Sequence, residues 1–217
     1  MLKKNTPLFN YIQERAKEFE SIPKRRKQSL GLVSELILPA IMAGRNIRFV
    51  FVCSHNSRRS QFCQIWAQVA ALYYSVDHLL FYSGGTEGSS IHKAVIQSLK
   101  KAGLLINKET KGKNPHYIIS AVQNQPLGTF YSKRITAKEN PKENFCAVIT
   151  CPEAEKKLNL EAGTHLQVSM IYDDPRKVDG TKHEQKTYDK LCKKIATEML
   201  YIISHAQKII ADTEEED

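Results

Sequence analysis

Apolar side chains recur every three or four positions along several stretches of this chain, and between those stretches they gather into short unbroken runs. Thr6-Pro7 is a capping residue with a first-turn proline, and Phe9, Ile12, Ala16 and Phe19 follow at helical spacing. Ser21-Ile22-Pro23 restarts the pattern with Leu30, Val33, Ile37 and Ile41, a helix that Pro39 is expected to kink or end. At Ile47 the character changes. Ile47-Arg48-Phe49-Val50-Phe51-Val52-Cys53 is almost continuously apolar, as in a buried parallel strand. Ser54 to Arg58 holds no apolar residue, and a helical stripe follows through Phe62, Ile65, Val69 and Tyr73.

A second strand is predicted at Leu79–Tyr82, closing on Ser83-Gly84-Gly85-Thr86. Another helix carries Ile91, Val95, Leu99 and Ala102, with Gly103 as its stop. Residues 107–144 are polar and turn-rich, and two possible strands, His116–Val122 and Gly128–Ile135, suggest a hairpin around Asn124-Gln125-Pro126. Cys146–Cys151 and Leu166–Tyr172 are the third and fourth strands of the main series. Tyr188, Leu191, Ile195, Met199, Ile202, Ala206 and Ile209 mark a long final helix. Strands alternating with helices predict an α/β fold: a four-stranded parallel doubly wound sheet with flanking helices, an N-terminal helical extension and a hairpin insertion. The corresponding divisions are 1–45 for the extension, 46–211 for the α/β domain with its insertion at about 110–140, and 212–217 for an acidic, solvated tail.

Composition narrows the function classes. With 217 residues, 41% hydrophobic and 25% charged, the chain has the make-up of a globular domain that needs neither disulfides nor metal to fold. No apolar run is long enough to span a bilayer, and the first twenty residues lack a signal-type apolar core, so a cytoplasmic location is expected. Five scattered cysteines do not form a disulfide framework, and the dispersed histidines show no metal-ligand spacing, so neither a metal nor another cofactor is expected. The net charge of +9 points to an anionic partner. Ten Lys or Arg against four Glu in residues 1–48 place much of that excess before the first strand. Pro23-Lys24-Arg25-Arg26-Lys27 could be a nucleic-acid patch, but no interleaved aromatic surface supports that, and a solvated helix start accounts for it.

The sharpest chemistry lies in the loop after the first strand, Cys53-Ser54-His55-Asn56-Ser57-Arg58-Arg59-Ser60. Ligands of open parallel sheets bind beyond the C-terminal strand ends, where loops lead into helix N-termini. A helix start and a guanidinium both favour a nucleophilic thiolate. Successive N–H groups there can cradle an oxyanion, and a planar Arg fork can hold two of its oxygens. Ser60 can donate to the cysteine sulfur, and Asn56 suits a left-handed position in a tight loop. A buried strand-end cysteine beside a solvated basic helix start is the plainer alternative, but it would leave cations opposing the helix dipole.

Four segments in order, VCSHNSRRSQ, FYSGGT, AVITCPEAE and YDDPRKVDGT, resemble the low-molecular-weight protein tyrosine phosphatases and the thioredoxin-coupled arsenate reductases of the same fold. The resemblance covers about residues 46–210. It implies Cys53 as nucleophile, Arg59 as oxyanion clamp and Asp174, before Pro175, as general acid, with Asp173 as its rival. It further implies Ser60 as thiolate stabiliser and a hydrogen-bonded pair, Asn56 and Ser83, that shapes the loop. Ser54, His55, Asn56, Ser57, Arg58 and Ser60 would form the substrate or oxyanion site.

The sequence departs from the family at three places. His55 stands where glycine is usual, Arg58 where many members carry a second cysteine, and Arg176 where an aromatic ring commonly stacks on phosphotyrosine. The extra charge of Arg58 could deepen attraction for a polyanion. Cys151 resembles the second cysteine of the reductases, but the third is missing. The leading expectation is a phosphatase acting on phosphate monoesters, phosphotyrosine among them, through a cysteinyl-phosphate. Its alternatives are arsenate reduction by Cys53 and Cys151 with an external thiol, and a non-catalytic phosphate or phosphoprotein-binding module. The partner is then a phosphorylated substrate or an inorganic oxyanion, with no membrane involved.

Overall fold

The computed structural model describes residues 2–157 and 164–214. Helix α1 (Pro7–Ala16) starts at Thr6, whose hydroxyl accepts from Phe9 N at 3.2 Å. It turns Leu8 and Ile12 into the core and leaves Phe9 half-buried against Tyr73, so its inner face is rotated from the predicted stripe. Helix α2 (Lys24–Ala43) continues past Pro39 and stops at Gly44, which takes the left-handed conformation at φ +59°. The hydrogen bond that proline deletes belongs to the carbonyl of Glu35, on the exposed face where water can replace it, while Ala40 is buried beyond.

Strand β1 (Ile47–Cys53) ends the helical opening, and α3 (Arg59–Tyr73) begins after a five-residue loop. Strand β2 (Leu79–Gly85) and helix α4 (Lys93–Lys101) follow, with Gly103 at φ +97° closing the helix. The insertion is larger than a hairpin. Leu105–Lys108 (β3), Tyr117–Val122 (β4) and Gln125–Phe130 (β5) form a three-stranded antiparallel sheet in that order. Its turn falls one residue early, at Gln123-Asn124, because Asn124 takes the positive φ that the tight connection requires. Ile106, Ile119 and Phe130 anchor this sheet in the main core, which is why polar residues around them still form strands.

Strand β6 (Phe145–Ile149), helix α5 (Pro152–Lys157) and strand β7 (Thr164–Ser169) complete the main sheet, whose order is β2-β1-β6-β7 with every pairing parallel. The predicted fourth strand is shifted. Met170 and Tyr172 leave the ladder, though their amides still donate to Ile149 and Thr150. The final helix α6 runs from Glu184 to Glu214, so the predicted tail begins inside a helix, and 215–217 lie outside the described residues.

Alternation along β1 divides the core. Phe49 and Phe51 join the large cluster with α1, α2, α3, α4 and α6, whereas Val50 and Val52 face the smaller one with Cys151 and Ala154. Leu8, Ile12, Leu30, Val33 and Ile37 from the first two helices belong to the same large cluster as Phe49 and Met199. Nor is the basic run at the start of α2 a uniformly solvated face. Arg26 turns inward to Glu198 and Lys27 reaches Glu20. Among the described residues, no helix is long and apolar enough to cross a membrane.

Candidate active site

The loop after β1 is held from outside by its carbonyl groups. Cys53 O accepts from Thr86 N, Ser54 O from Glu87 N, Ser57 O from His92 N and Arg58 O from Phe62 N, at 2.8 to 3.2 Å. His55 O accepts from Ser132 Oγ at 2.8 Å, and Asn56 O from Gln61 Nε2 at 3.2 Å. All six carbonyls from Cys53 to Arg58 therefore point into the protein frame. A trans peptide sets N–H opposite C=O, so the amides that follow them turn toward the loop's interior. That is the arrangement of an anion cradle at the start of a helix.

Asn56 permits the curl, with φ at +47°, as its residue type predicts. Its side chain donates to Ser60 Oγ at 2.9 Å and accepts from Gln61 Nε2 at 3.0 Å and Lys133 N at 2.9 Å. The expected Asn56–Ser83 bond is not formed. Ser83 instead donates to Gln64 Oε1 at 2.6 Å, because Gln61 and the insertion already occupy Asn56. The insertion thus buttresses the loop through Tyr131, Ser132 and Lys133, a role invisible from local pattern.

Gly85 seals the other side. A Cβ there would lie 2.2 Å from Glu87 O and 2.8 Å from both Asn56 N and Ser54 O. All three are backbone atoms with no rotamer to give way. Gly85→Ala should therefore cost about 1–3 kcal/mol of stability, read as a lowered unfolding midpoint in urea.

Cys53 sits at the base of the loop, 3% exposed, with Sγ 3.0 Å from Ser60 Oγ. Above it lies a pocket of about 210 Å³ lined by Cys53, Ser54, His55, Ser57, Arg58, Arg59, Glu153, Asp174 and Arg176. Arg59 donates through Nη1 to Tyr172 O at 3.3 Å and through Nη2 to Asp174 Oδ2 at 2.9 Å. Its Nε is buried without a partner among the described residues. Asp174 caps the short helical turn Pro175–Val178 by accepting from Arg176 N at 3.0 Å. Its neighbour Asp173 is exposed and lies outside the pocket lining, so of the two aspartates it is Asp174 that lies at the pocket.

Arg58 lines the same pocket, but its charge is engaged. It donates to Tyr188 Oη and Asp179 Oδ2, each at 2.5 Å, and Tyr188 donates to Asp179 Oδ1 at 2.7 Å. Against the effect of burial, these hydrogen bonds and the Arg58 charge hold the Asp179 carboxyl below its ordinary range. The cation expected to draw in a polyanion is thus largely answered by Asp179. His55 is a half-exposed rim residue, 3.5 Å from Glu87 Oε2. Ser57 Oγ donates away from the pocket, to Ser90 O at 2.5 Å, so it offers the cradle its backbone.

Cys151 is buried beside the loop, 3.5 Å from Ser54 Oγ, and its sulfur accepts from Ala154 N at 3.4 Å. Burial pushes its thiol up, outweighing those hydrogen bonds. Cys63, Cys146 and Cys192 are buried too, and all five cysteines are free. Glu153 was not foreseen. It stands in the first turn of α5, with Oε2 4.0 Å from Arg59 Nη2, and a hydrogen bond from its own backbone leads the effects that hold its carboxyl low.

The four-stranded parallel sheet with its flanking helices is the fold of the low-molecular-weight protein tyrosine phosphatases. A low molecular weight phosphotyrosine phosphatase from Vibrio cholerae matches with a TM-score of 0.50 at 11% identity, over 75% of this chain and 97% of its own. A low molecular weight protein tyrosine phosphatase from T. tengcongensis gives 0.51 at 13% identity, over 74% and 99%. A mutant of YwlE from Bacillus subtilis gives 0.52 at 12% identity, over 75% and 99%. No family model and no curated protein matches the sequence.

Proposed function

We propose that the protein is a phosphatase that hydrolyses phosphate monoesters through a cysteinyl-phosphate. The observation that carries this reading is the Cys53–Arg59 loop, whose carbonyls from Cys53 to Arg58 face outward around a buried thiol. Cys53 thiolate attacks phosphorus, forming the S–P bond as the ester P–O bond breaks. Arg59 holds two non-bridging oxygens through its fork, and the inward amides hold the rest. Asp174, which takes up a proton as substrate displaces it from Arg59, gives that proton to the departing oxygen. Water then attacks the phosphocysteine, the S–P bond breaks, and the Asp174 carboxylate accepts the water's proton. Ser60, 3.0 Å from the sulfur, donates to the thiolate as it leaves.

No Phe, Tyr or Trp lines the pocket among the described residues, and the exposed Arg176 is part of its lining. A phenyl ring therefore meets no phenyl or indole surface there, and the reading extends to polar, non-aryl phosphate esters. Hydrolysis of p-nitrophenyl phosphate, with mass-spectrometric capture of a phosphoryl group on Cys53 after acid quench, tests it. Turnover without a Cys53 adduct, or no turnover of any ester, would overturn it. Phosphate binding without turnover would select the binding-module reading instead.

Arsenate reduction has one observation in its favour, the seating of Cys151 against Ser54. Its raised thiol is a poor nucleophile near neutrality, and residues 153–158, where a third cysteine would follow to relay a disulfide, hold none. Thiol-dependent arsenite formation that needs both Cys53 and Cys151 would establish it.

A further inference from the structure

Arg26 belongs to a run of four basic residues at the start of α2, yet it does not face solvent with its neighbours. Its guanidinium donates to Glu198 on α6 through Nε at 3.0 Å and Nη2 at 2.6 Å, with side chains 18% and 3% exposed. The same guanidinium lies 4.9 Å from the ring centroid of Tyr172, and Lys194 Nζ lies 5.8 Å from it. Tyr172 is 2% exposed, and burial keeps its phenol protonated, so the cations meet a neutral aromatic face.

The backbone of Tyr172 leads directly to the pocket. Its carbonyl accepts from Arg59 Nη1 at 3.3 Å, and its amide donates to Thr150 O at 3.2 Å. Two residues later, Asp174 takes the other arm of Arg59. Tyr172 is therefore clamped twice, by its ring on α2 and α6 and by its peptide on Arg59. A buried ion pair is seldom the most stabilising choice for such a position, since well-packed apolar residues do as well. A planar, doubly bonded guanidinium does fix the ring beneath it, and lysine cannot reproduce that.

We infer that Arg26 is a positioning residue for the pocket, setting through Tyr172 the places of Arg59 and Asp174. The inference rests on the phosphatase reading for its kinetic consequence, but not for its effect on anion binding. It also gives part of the charge excess before the first strand a task inside the protein.

The test uses the full chain with Arg26→Lys, the double variant Arg26→Met/Glu198→Met, and Ile37→Ala. The double variant removes both charges, so neither is left buried alone, and Ile37→Ala weakens the same helix at a site away from Tyr172. Inorganic phosphate affinity is measured by titration calorimetry, and kcat is compared for p-nitrophenyl and phenyl phosphate. The double variant should bind phosphate about tenfold more weakly, in the range of long-range couplings of this kind. It should also lose several-fold more kcat on phenyl phosphate, whose poorer leaving group depends more on Asp174. Arg26→Lys should fall between, and folded Ile37→Ala should match the wild type in both measures.

Wild-type affinity and kcat ratio in the folded double variant would overturn the inference, as would equal losses in Ile37→Ala. If the wild type binds phosphate but cleaves neither ester, the phosphatase reading fails and the affinities alone decide the role of Arg26. A wild type that does not bind phosphate overturns both.

Discussion

Cys53→Ser should abolish p-nitrophenyl phosphate hydrolysis, lowering kcat by at least about 10⁴-fold while phosphate still binds. The hydroxyl is isosteric with the thiol, so the 3.0 Å contact to Ser60 and the loop's outward carbonyl bonds can persist. What disappears is the nucleophile, since serine is not ionised near neutrality. Ser60 is itself a hydroxyl, and in the substrate complex Asp174 must carry the proton meant for the leaving oxygen. Binding survives because amides and Arg59 supply it. Titration calorimetry with phosphate beside a chromogenic assay separates the two. A serine variant retaining more than a hundredth of wild-type turnover would rule out the cysteinyl-phosphate.

Legibility from sequence followed the range of the interactions involved. Strand β1 runs from Ile47 to Cys53, as its apolar run predicts, because both faces of a central parallel strand are buried and nothing distant needs to be known. The left-handed Asn56 was equally local. The pairing of Asn56 was not. Its partner Lys133 N lies 77 residues away on an insertion whose backbone happens to arrive there. Arg26 looked like any surface cation because Glu198 is 172 residues off. Arg58 promised free charge until Asp179 and Tyr188 were seen to hold it. Helix α2 outlasted Pro39 because tertiary burial at Ala40 outweighs one solvent-side hydrogen bond. Residue types marked the proposed reacting atoms, while the residues that support them are set by chain crossings.

Asp174→Asn should change kcat and phosphate affinity in opposite directions. In the resting pocket the Asp174 carboxylate occupies Arg59 Nη2 at 2.9 Å, one arm of the fork proposed to grip the phosphoryl oxygens. Substrate must therefore displace it, and the same displacement frees the carboxyl to face the leaving oxygen. A neutral amide competes less for the guanidinium. Asp174 is 30% exposed, so its ion pair is partly screened, and phosphate should bind only about two- to fivefold tighter in the variant. The amide cannot give up a proton, so kcat on phenyl phosphate should fall by about 10²–10⁴-fold. The loss should be smaller on p-nitrophenyl phosphate, whose leaving group needs less protonation. Glu153, 4.0 Å from the same nitrogen, would remain as the nearest carboxylate and could keep part of the affinity gain from appearing. Pairing Asp174→Asn with Glu153→Gln should release it, giving tighter phosphate binding than either single variant. Unchanged kcat on phenyl phosphate, or weaker phosphate binding by Asp174→Asn, would remove Asp174 from the acid role and leave its bond to Arg59 purely structural.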